Sequence, residues 1–350
     1  MINRSFWKGK KVFLTGHTGF KGSWMSLWLN ELGADVHGYS LAPITTPSLF
    51  EAAKIAQKMS STIGDIRDFS ELQKAIQKAN PDIIIHMAAQ PLVRKSYRDP
   101  IETYSTNVMG TVNILEAARS CSNLKVVLNV TTDKVYENKE LDLPFKENDR
   151  LGGFDPYSNS KACSELVTAS YRSAFYNQTT VKLVTARAGN VIGGGDWSED
   201  RLIPDIIRAY TGDKKVTIRS PKAIRPWQHV LESLAGYLQL TEHLYHTQEQ
   251  YLECWNFGPG TADFMTVGDI TKYIESDLSQ LGINFEVQTA TLHEAQILKL
   301  DNTQAKASLD WSSHWDAKTA IKQTFTWYEQ FLAGGDAYKI TLSQIQDFQK

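Results

Sequence analysis

Short β-branched runs alternate with helical spacing through the first half of the chain. "KVFLT" (Lys11–Thr15), "DVHGY" (Asp35–Tyr39), "STIGD" (Ser61–Asp65), "DIIIHMA" (Asp82–Ala88), "KVVLNVTT" (Lys125–Thr132) and "VKLVTA" (Val181–Ala186) predict strands. Between them, apolar residues recur at steps of three and four: Phe20, Trp24, Leu27, Trp28 and Leu32; Leu72 and Ile76; Val112, Leu115 and Ala118; Ala162, Leu166 and Ala169. That spacing lines one face of a helix. Strands apolar nearly throughout are buried on both sides, so the pattern predicts a parallel sheet with helices on each face. Right-handed crossovers make it a doubly wound α/β fold.

After about Ala188 the texture changes. "NVIGGGDWSEDRLIPD" is a glycine-rich loop, and helical patterns at Leu231–Tyr245 and Ala317–Phe331 accompany few, short strands. The expected division is a dinucleotide-binding domain over 1–187 and a smaller, mixed substrate-binding region over 188–350. Parts near 226–260, including "CWNFGPG" (Cys254–Gly260), are expected to return to the first sheet.

Composition narrows the classes. A chain of 350 residues can bury a large core. The net charge of −2, without blocks of like charge, gives no footprint for nucleic acid or an anionic membrane. The start "MINRSFWKGKKVFLTG" runs into a strand without a signal-peptide core, and no apolar run nears the roughly 20 residues of a span. A cytoplasmic location is expected. Cys121, Cys163 and Cys254 have no metal-ligand spacing, so neither a metal site nor a disulfide framework is expected.

"LTGHTGFKGSWMSLWLNELG" (Leu14–Gly33) sets Gly16, Gly19 and Gly22 where a helix should begin. Strand, glycines, then helix is how a Rossmann unit offers free N–H groups to a pyrophosphate. The first glycine turns the chain, the next permits close approach, and the last lets the helix pack. Ordinary turns share the spacing. Lys21 opposes the helix dipole, which an anionic partner or solvent would relieve. The ribose-binding acid expected after the second strand is absent, since "HGYSLAP" offers Ser40 instead. Asp65 in "GDIRD" reads equally as an adenine-side residue or a strand-end turn.

"DPYSNSKACSE" puts Tyr157 and Lys161 on one face at the start of a helix. A neighbouring ammonium favours phenolate, so this tyrosine is expected to titrate below its usual value of about 10 and to serve as a base. Thr131, Thr132, Asp133 and Lys134 fall at a strand's carboxyl end, where open α/β sheets bind ligands.

"TGHTGFKG", "HMAAQPLV", "NVMGTVNILEAA", "TTDKVY", "YSNSKACSE" and "LDNTQAKASLDW" together resemble the extended short-chain dehydrogenase/reductase family. Within it, the chain resembles the nucleotide-sugar 4,6-dehydratases from about Lys8 to Phe331. "GYSLAPITTPSLFE", "TTDKVYEN", "GGGDWSEDRLIPD" and "RPWQHVLE" resemble the subgroup that acts on CDP-glucose.

The resemblance implies NAD as cofactor, cradled at its diphosphate by Gly16, Thr18, Gly19, Phe20 and Gly22. It implies adenine contacts from Asp65 and Ile66, and a nicotinamide-ribose wall from Ala88, Ala89 and Gln90. Tyr157 would be the base at the sugar 4-hydroxyl, Lys161 would hold the ribose and tune Tyr157, and Thr132 would bond the 4-oxygen. Asp133 would protonate the departing 6-hydroxyl. Related enzymes carry glutamate as the C5 base at the next position, where this chain has Lys134. Lys134 is therefore expected either to act as that base or to pair with Asp133. Asn190, Arg201 and Arg225 match substrate-diphosphate positions, and a structural part is expected for Asn107 and His229.

Two other readings stand beside this one. A 4-epimerase shares the hydride step but needs no acid to expel a hydroxyl, which Thr132-Asp133-Lys134 argues against. A non-catalytic nucleotide sensor would have no need to keep Tyr157, Lys161, Thr132 and Asp133 together. The resemblance also implies a homodimer or homotetramer through helices at Thr103–Ser120 and Ala162–Tyr176, and a route to deoxysugars of lipopolysaccharide O-antigen.

Overall fold

The computed structural model describes residues 2–212, 215–248, 250–260, 263–278, 282–288 and 295–350. Seven strands pair in parallel: β1 (Lys11–Thr15), β2 (Asp35–Ser40), β3 (Ser60–Ile63), β4 (Ile83–His86), β5 (Val126–Val130), β6 (Lys182–Ala188) and β7 (Cys254–Phe257). Their order is β7-β6-β5-β4-β1-β2-β3, so the connections reverse direction between β1 and β4. That reversal opens a crevice at the carboxyl ends, where such sheets take ligands.

Alternation of side chains divides the core. Val12, Leu14, Ile83, Ile85, Leu128 and Val184 point to one face, and Phe13, Ile84, Val127 and Leu183 to the other. The second face is covered by α2 (Phe69–Ala79), through Leu72 and Ile76, and by α3 (Gly110–Ala118), through Ile114 and Leu115. The first is covered by α1 (Phe20–Glu31) and by α6 (Val230–His246), which meets β5, β6 and β7. Sequence texture groups α6 with the second region, yet it belongs to the sheet, as does β7.

Strand ends differ from the apolar runs for identifiable reasons. β4 stops at His86 because the hydroxyl of Thr15 takes the N–H groups of Met87 (3.0 Å) and Ala88 (3.1 Å) out of the ladder. β5 stops at Val130 because Thr132 caps a 3-10 turn over Asp133–Val135. α1 departs from its predicted single apolar face. Ser23 to Leu29 are all buried, because the C-terminal helix α8 (Ala337–Phe348) packs on its other side, with Phe348 edge-on to Trp28 at 5.7 Å.

Two other helices carry π-turns. Helical Pro100–Tyr104 continues through a π-turn at Ser105–Met109 into α3, and α4 (Pro156–Tyr171) ends in another at Arg172–Tyr176. The remaining elements are α5 (Leu202–Thr211), α7 (Ala317–Leu332) and short strand pairs such as Lys215–Ile218 with Asn284–Val287.

In the glycine turn, Gly16 has φ +77° and a Cβ there would sit 2.8 Å from Ala88 N. A Cβ on Gly22 would lie 2.0 Å from the carbonyl oxygen of Gly16, whereas one on Gly19 meets nothing nearer than 3.4 Å. Gly22 is therefore fixed by packing and Gly19 leaves the backbone approachable. Gly22→Ala should cost more than about 2 kcal/mol and Gly19→Ala less than about 1. Urea unfolding of the two variants checks the contrast.

Candidate active site

A cavity of about 560 Å³ opens over the carboxyl ends of the sheet. Its wall includes Gly16, Thr18, Gly19, Phe20 and Gly22 on the glycine turn, Asp65 and Ile66 after β3, and Ala88 and Ala89 after β4. Thr132, Asp133 and Lys134 follow β5, and Tyr157 and Lys161 stand on α4. Asn190, Arg201 and Arg225 face them from the second region. Gln90 alone of the expected residues does not reach this wall. Its amide donates inward to Thr103 Oγ1 (2.9 Å) and Leu92 O (3.2 Å). Asn107 is structural, donating to Gln90 O (3.1 Å) and Ser160 Oγ (2.9 Å).

Asp155 caps the first turn of α4 by accepting from Ser158 N at 2.9 Å, and Pro156 follows it, so the helix starts just ahead of Tyr157. One turn later, Lys161 Nζ donates to Val130 O at 2.9 Å. Burial lowers Lys161 to about 8, with Glu165 opposing. Tyr157 corrects the expectation of a depressed phenol. Burial raises it to about 12, against a lowering hydrogen bond from Thr132. Desolvation of the phenolate outweighs neighbouring charge, and the Lys161 ammonium is committed to a backbone carbonyl.

Asp133 is 1 % exposed. Thr132 Oγ1 donates to its Oδ1 at 3.0 Å, and among the described residues Oδ2 receives no hydrogen bond. Lys134 Nζ stands 3.8 Å from Asp133 Oδ1, within ion-pair reach but beyond a hydrogen bond. Lys21 is neither solvated nor directed at the turn. It donates to Tyr237 OH at 2.9 Å, and burial, then Lys161 and Arg201, lower it to about 7 while Asp133 opposes.

The expected adenine-side carboxylate, Asp65, is held by its neighbour Arg67, whose Nε lies 3.0 and 2.9 Å from the two oxygens. That pairing keeps Asp65 below the usual carboxylate range. Ser40, standing where an acid was expected, meets Thr18 Oγ1 at 2.9 Å. On the far wall, Arg201 Nη1 donates to Asp196 Oδ2 at 3.0 Å, and Arg225 Nη1 to Ile224 O at 2.9 Å. Asp196 is itself tied to α7, its N–H donating to Tyr328 OH at 3.0 Å. Trp197 lines the cavity and meets Trp327, Tyr328 and Phe331 at 5.9, 5.8 and 5.7 Å. His229 lies off the cavity wall, fully buried between Trp24 and Trp315, and burial lowers it to about 3.

Sequence reasoning missed a buried ion pair behind this site. Glu165 lies one turn beyond Lys161. Its carboxylate accepts from Thr131 Oγ1 (2.5 Å), Thr185 Oγ1 (2.7 Å), and Arg187 Nε and Nη2 (both 2.9 Å). Arg187 also donates through Nη1 to Tyr136 OH (2.9 Å) and Glu147 O (2.8 Å). Burial alone would raise Glu165, but the charge and donors of Arg187 hold it below the ordinary carboxylate range. The signal was present as an arginine inside the otherwise apolar run "VKLVTARAGN".

The sequence profile of the GDP-mannose 4,6 dehydratase family matches residues 13–324. The chain is 48% identical to the CDP-glucose 4,6-dehydratase of Salmonella typhimurium (strain LT2), over 99% of this chain and 98% of that one. It is 24% identical to UDP-glucose 4-epimerase 3 of Oryza sativa subsp. japonica, over 91% and 90%. Its fold is similar to a dTDP-glucose 4,6-dehydratase of Streptomyces venezuelae solved with NAD bound (TM-score 0.79, 20% identity, 93% and 99% covered). A UDP-glucose 4-epimerase of Thermotoga maritima solved with UDP-glucose is similar at TM-score 0.78, 20% identity, 92% and 99% covered.

Removing one member of a buried pair strands the other's charge. Arg187→Met should destabilise the protein by about 3–5 kcal/mol, and Glu165→Gln with Arg187→Met by less. The depressed Glu165 adds stability above its unfolded value of 4.5, which is lost as pH falls through its folded value. Urea unfolding at pH 7 and pH 4 checks both statements.

Proposed function

The chain belongs to the GDP-mannose 4,6-dehydratase family, and on that premise we propose that it converts CDP-glucose to CDP-4-keto-6-deoxyglucose with NAD as its cofactor. The observation that carries the reading is one cavity wall holding Thr132, Asp133, Lys134, Tyr157 and Lys161 opposite Arg201 and Arg225. The glycine turn fits a dinucleotide: Gly16 takes the positive φ, and Gly19 leaves the backbone open beside the Thr18 hydroxyl. When bound, NAD supplies the hydride acceptor at C4 and the donor at C6.

The side chains then divide the proton work. Tyr157 takes the proton of the 4-hydroxyl, and Thr132 donates a hydrogen bond to the oxygen as it becomes a carbonyl. Lys161 holds the ribose and favours phenolate. The ketone acidifies the C5 proton, which Lys134 removes. Asp133 gives a proton to the departing 6-hydroxyl, so water leaves across C5 and C6. Its burial and unbonded Oδ2 support this part. In this reading residues 1–187 hold the cofactor and 188–350 mainly hold the sugar nucleotide, with 226–260 serving the sheet.

Assembly is part of the proposal. Ile101 (82 % exposed), Tyr104, Met109, Leu166 and Phe175 leave apolar surface along the two π-turn helices. That surface supports a homo-oligomer built on a four-helix contact. No helix among the described residues is long and apolar enough to cross a membrane, in keeping with the cytoplasmic location expected for a step toward O-antigen deoxysugars.

Incubation with NAD and, in parallel, CDP-glucose, dTDP-glucose and GDP-mannose tests the reading. The expected result is a 4-keto-6-deoxy product, absorbing in alkali, from CDP-glucose with deuterium uptake at C5. A 4-epimer without ketone overturns it. Tyr157→Phe should lower turnover at least about 100-fold. Because Lys161 is charged below about 8 and neutral above, kcat/KM should fall as pH rises through that value. Lys134→Met should slow C5 exchange while C4 oxidation stays measurable; unchanged exchange removes Lys134 from the role.

A further inference from the structure

Arg94, Asp200 and Arg219 meet at the cavity wall from three separate parts of the chain. Arg94 lies on the short helix Val93–Arg98 that follows β4, on the cofactor side. Asp200 belongs to the glycine-rich loop before α5, and Arg219 follows the strand Lys215–Ile218. Arg219 Nη2 donates to Asp200 Oδ1 at 3.0 Å, and Arg94 Nη1 stands 3.6 Å from the same oxygen. One anionic oxygen thus sits between two guanidinium groups, which is how paired arginines hold a phosphate oxygen.

We propose that Arg94 and Arg219 are further binding residues for the diphosphate of the nucleotide sugar, and that the Asp200 carboxylate holds them until the ligand takes its place. The inference rests on the nucleotide-sugar reading above and adds an exchange of partners to it. The three side chains are only about a quarter to a third exposed: Arg94 26%, Arg219 27% and Asp200 30%. They face the cavity, yet water screens the pair enough to make the exchange inexpensive. Two guanidinium charges against one carboxylate leave a net positive patch, and a diphosphate carries more negative charge than the carboxylate it would displace. Asp196 shows the contrast. It holds Arg201, is only 5% exposed in that pair, and its Oδ1 accepts from Ser198 N at 3.0 Å, so it is fixed where Asp200 is exchangeable.

Asp200 has φ +59°, a left-handed conformation that asparagine also tolerates. Asp200→Asn therefore removes the charge and keeps the backbone. Calorimetric titration of the full chain with CDP and with cytidine is the test. Asp200→Asn should tighten CDP about three- to fivefold and leave cytidine unchanged, with KM for CDP-glucose falling and kcat held within about twofold. Arg94→Gln and Arg219→Gln should each weaken CDP by about tenfold at an unchanged melting temperature. If Asp200→Asn leaves CDP binding unchanged or weakens it, or if either arginine variant binds CDP like the parent, the exchange is wrong while the dehydratase reading stands. A parent chain that neither binds CDP nor converts CDP-glucose overturns both.

Discussion

The buried contact between Glu165 and Arg187 is the constraint on which the site's geometry depends. It joins α4 to β6, and through Thr131 it reaches the end of β5, one residue before Thr132. Arg187 extends the tie to Tyr136, whose hydroxyl donates to Asn256 Oδ1 on β7 at 2.7 Å. A helix, three strands and the turn bearing Asp133 are thereby held in one register. Buried ion pairs are poor sources of net stability, because desolvation offsets attraction. What this one supplies is position: a slip of α4 by one residue would leave four donors and a carboxylate unmatched, so Tyr157 and Lys161 have one place to be.

Around that frame the cavity resists charge of either sign. Burial pushes Tyr157 up and pulls Lys161 and Lys21 down, and the imidazoles of His17 and His86 are lowered to about 4 and about 3. The sequence shows cationic side chains converging here, but their formal charge overstates the field. Groups poised near neutrality exchange protons at small cost, which suits a reaction that shuttles protons and ends with its cofactor unchanged.

Much of this was legible beforehand. All six predicted strands form within two residues of their apolar runs, and the glycine turn and the Tyr157–Lys161 face need only local spacing. What escaped depends on partners remote in sequence. Nothing near Gln90 announces that Thr103 and Asn107 will draw it inward, and nothing near Lys21 points to Tyr237. The direction of the Tyr157 shift was misread because spacing reports a neighbouring ammonium but not the depth of burial. Helix α1 read as one-sided because α8, which covers its other side, lies some 300 residues away.

The π-turns bear on how the outer surface can change. Nine residues separate Leu166 from Phe175, about two and a half turns of an unbroken α-helix, which would send the two side chains to opposite sides. The wider spiral at Arg172–Tyr176 resets that phase by one residue. Deleting a single amino acid there would leave a helix intact and still swing everything beyond it by roughly 100°. The outward apolar stripe is thus tuned by residue count as much as by residue type, and its relatives can diverge in how they assemble without altering a single group in the crevice.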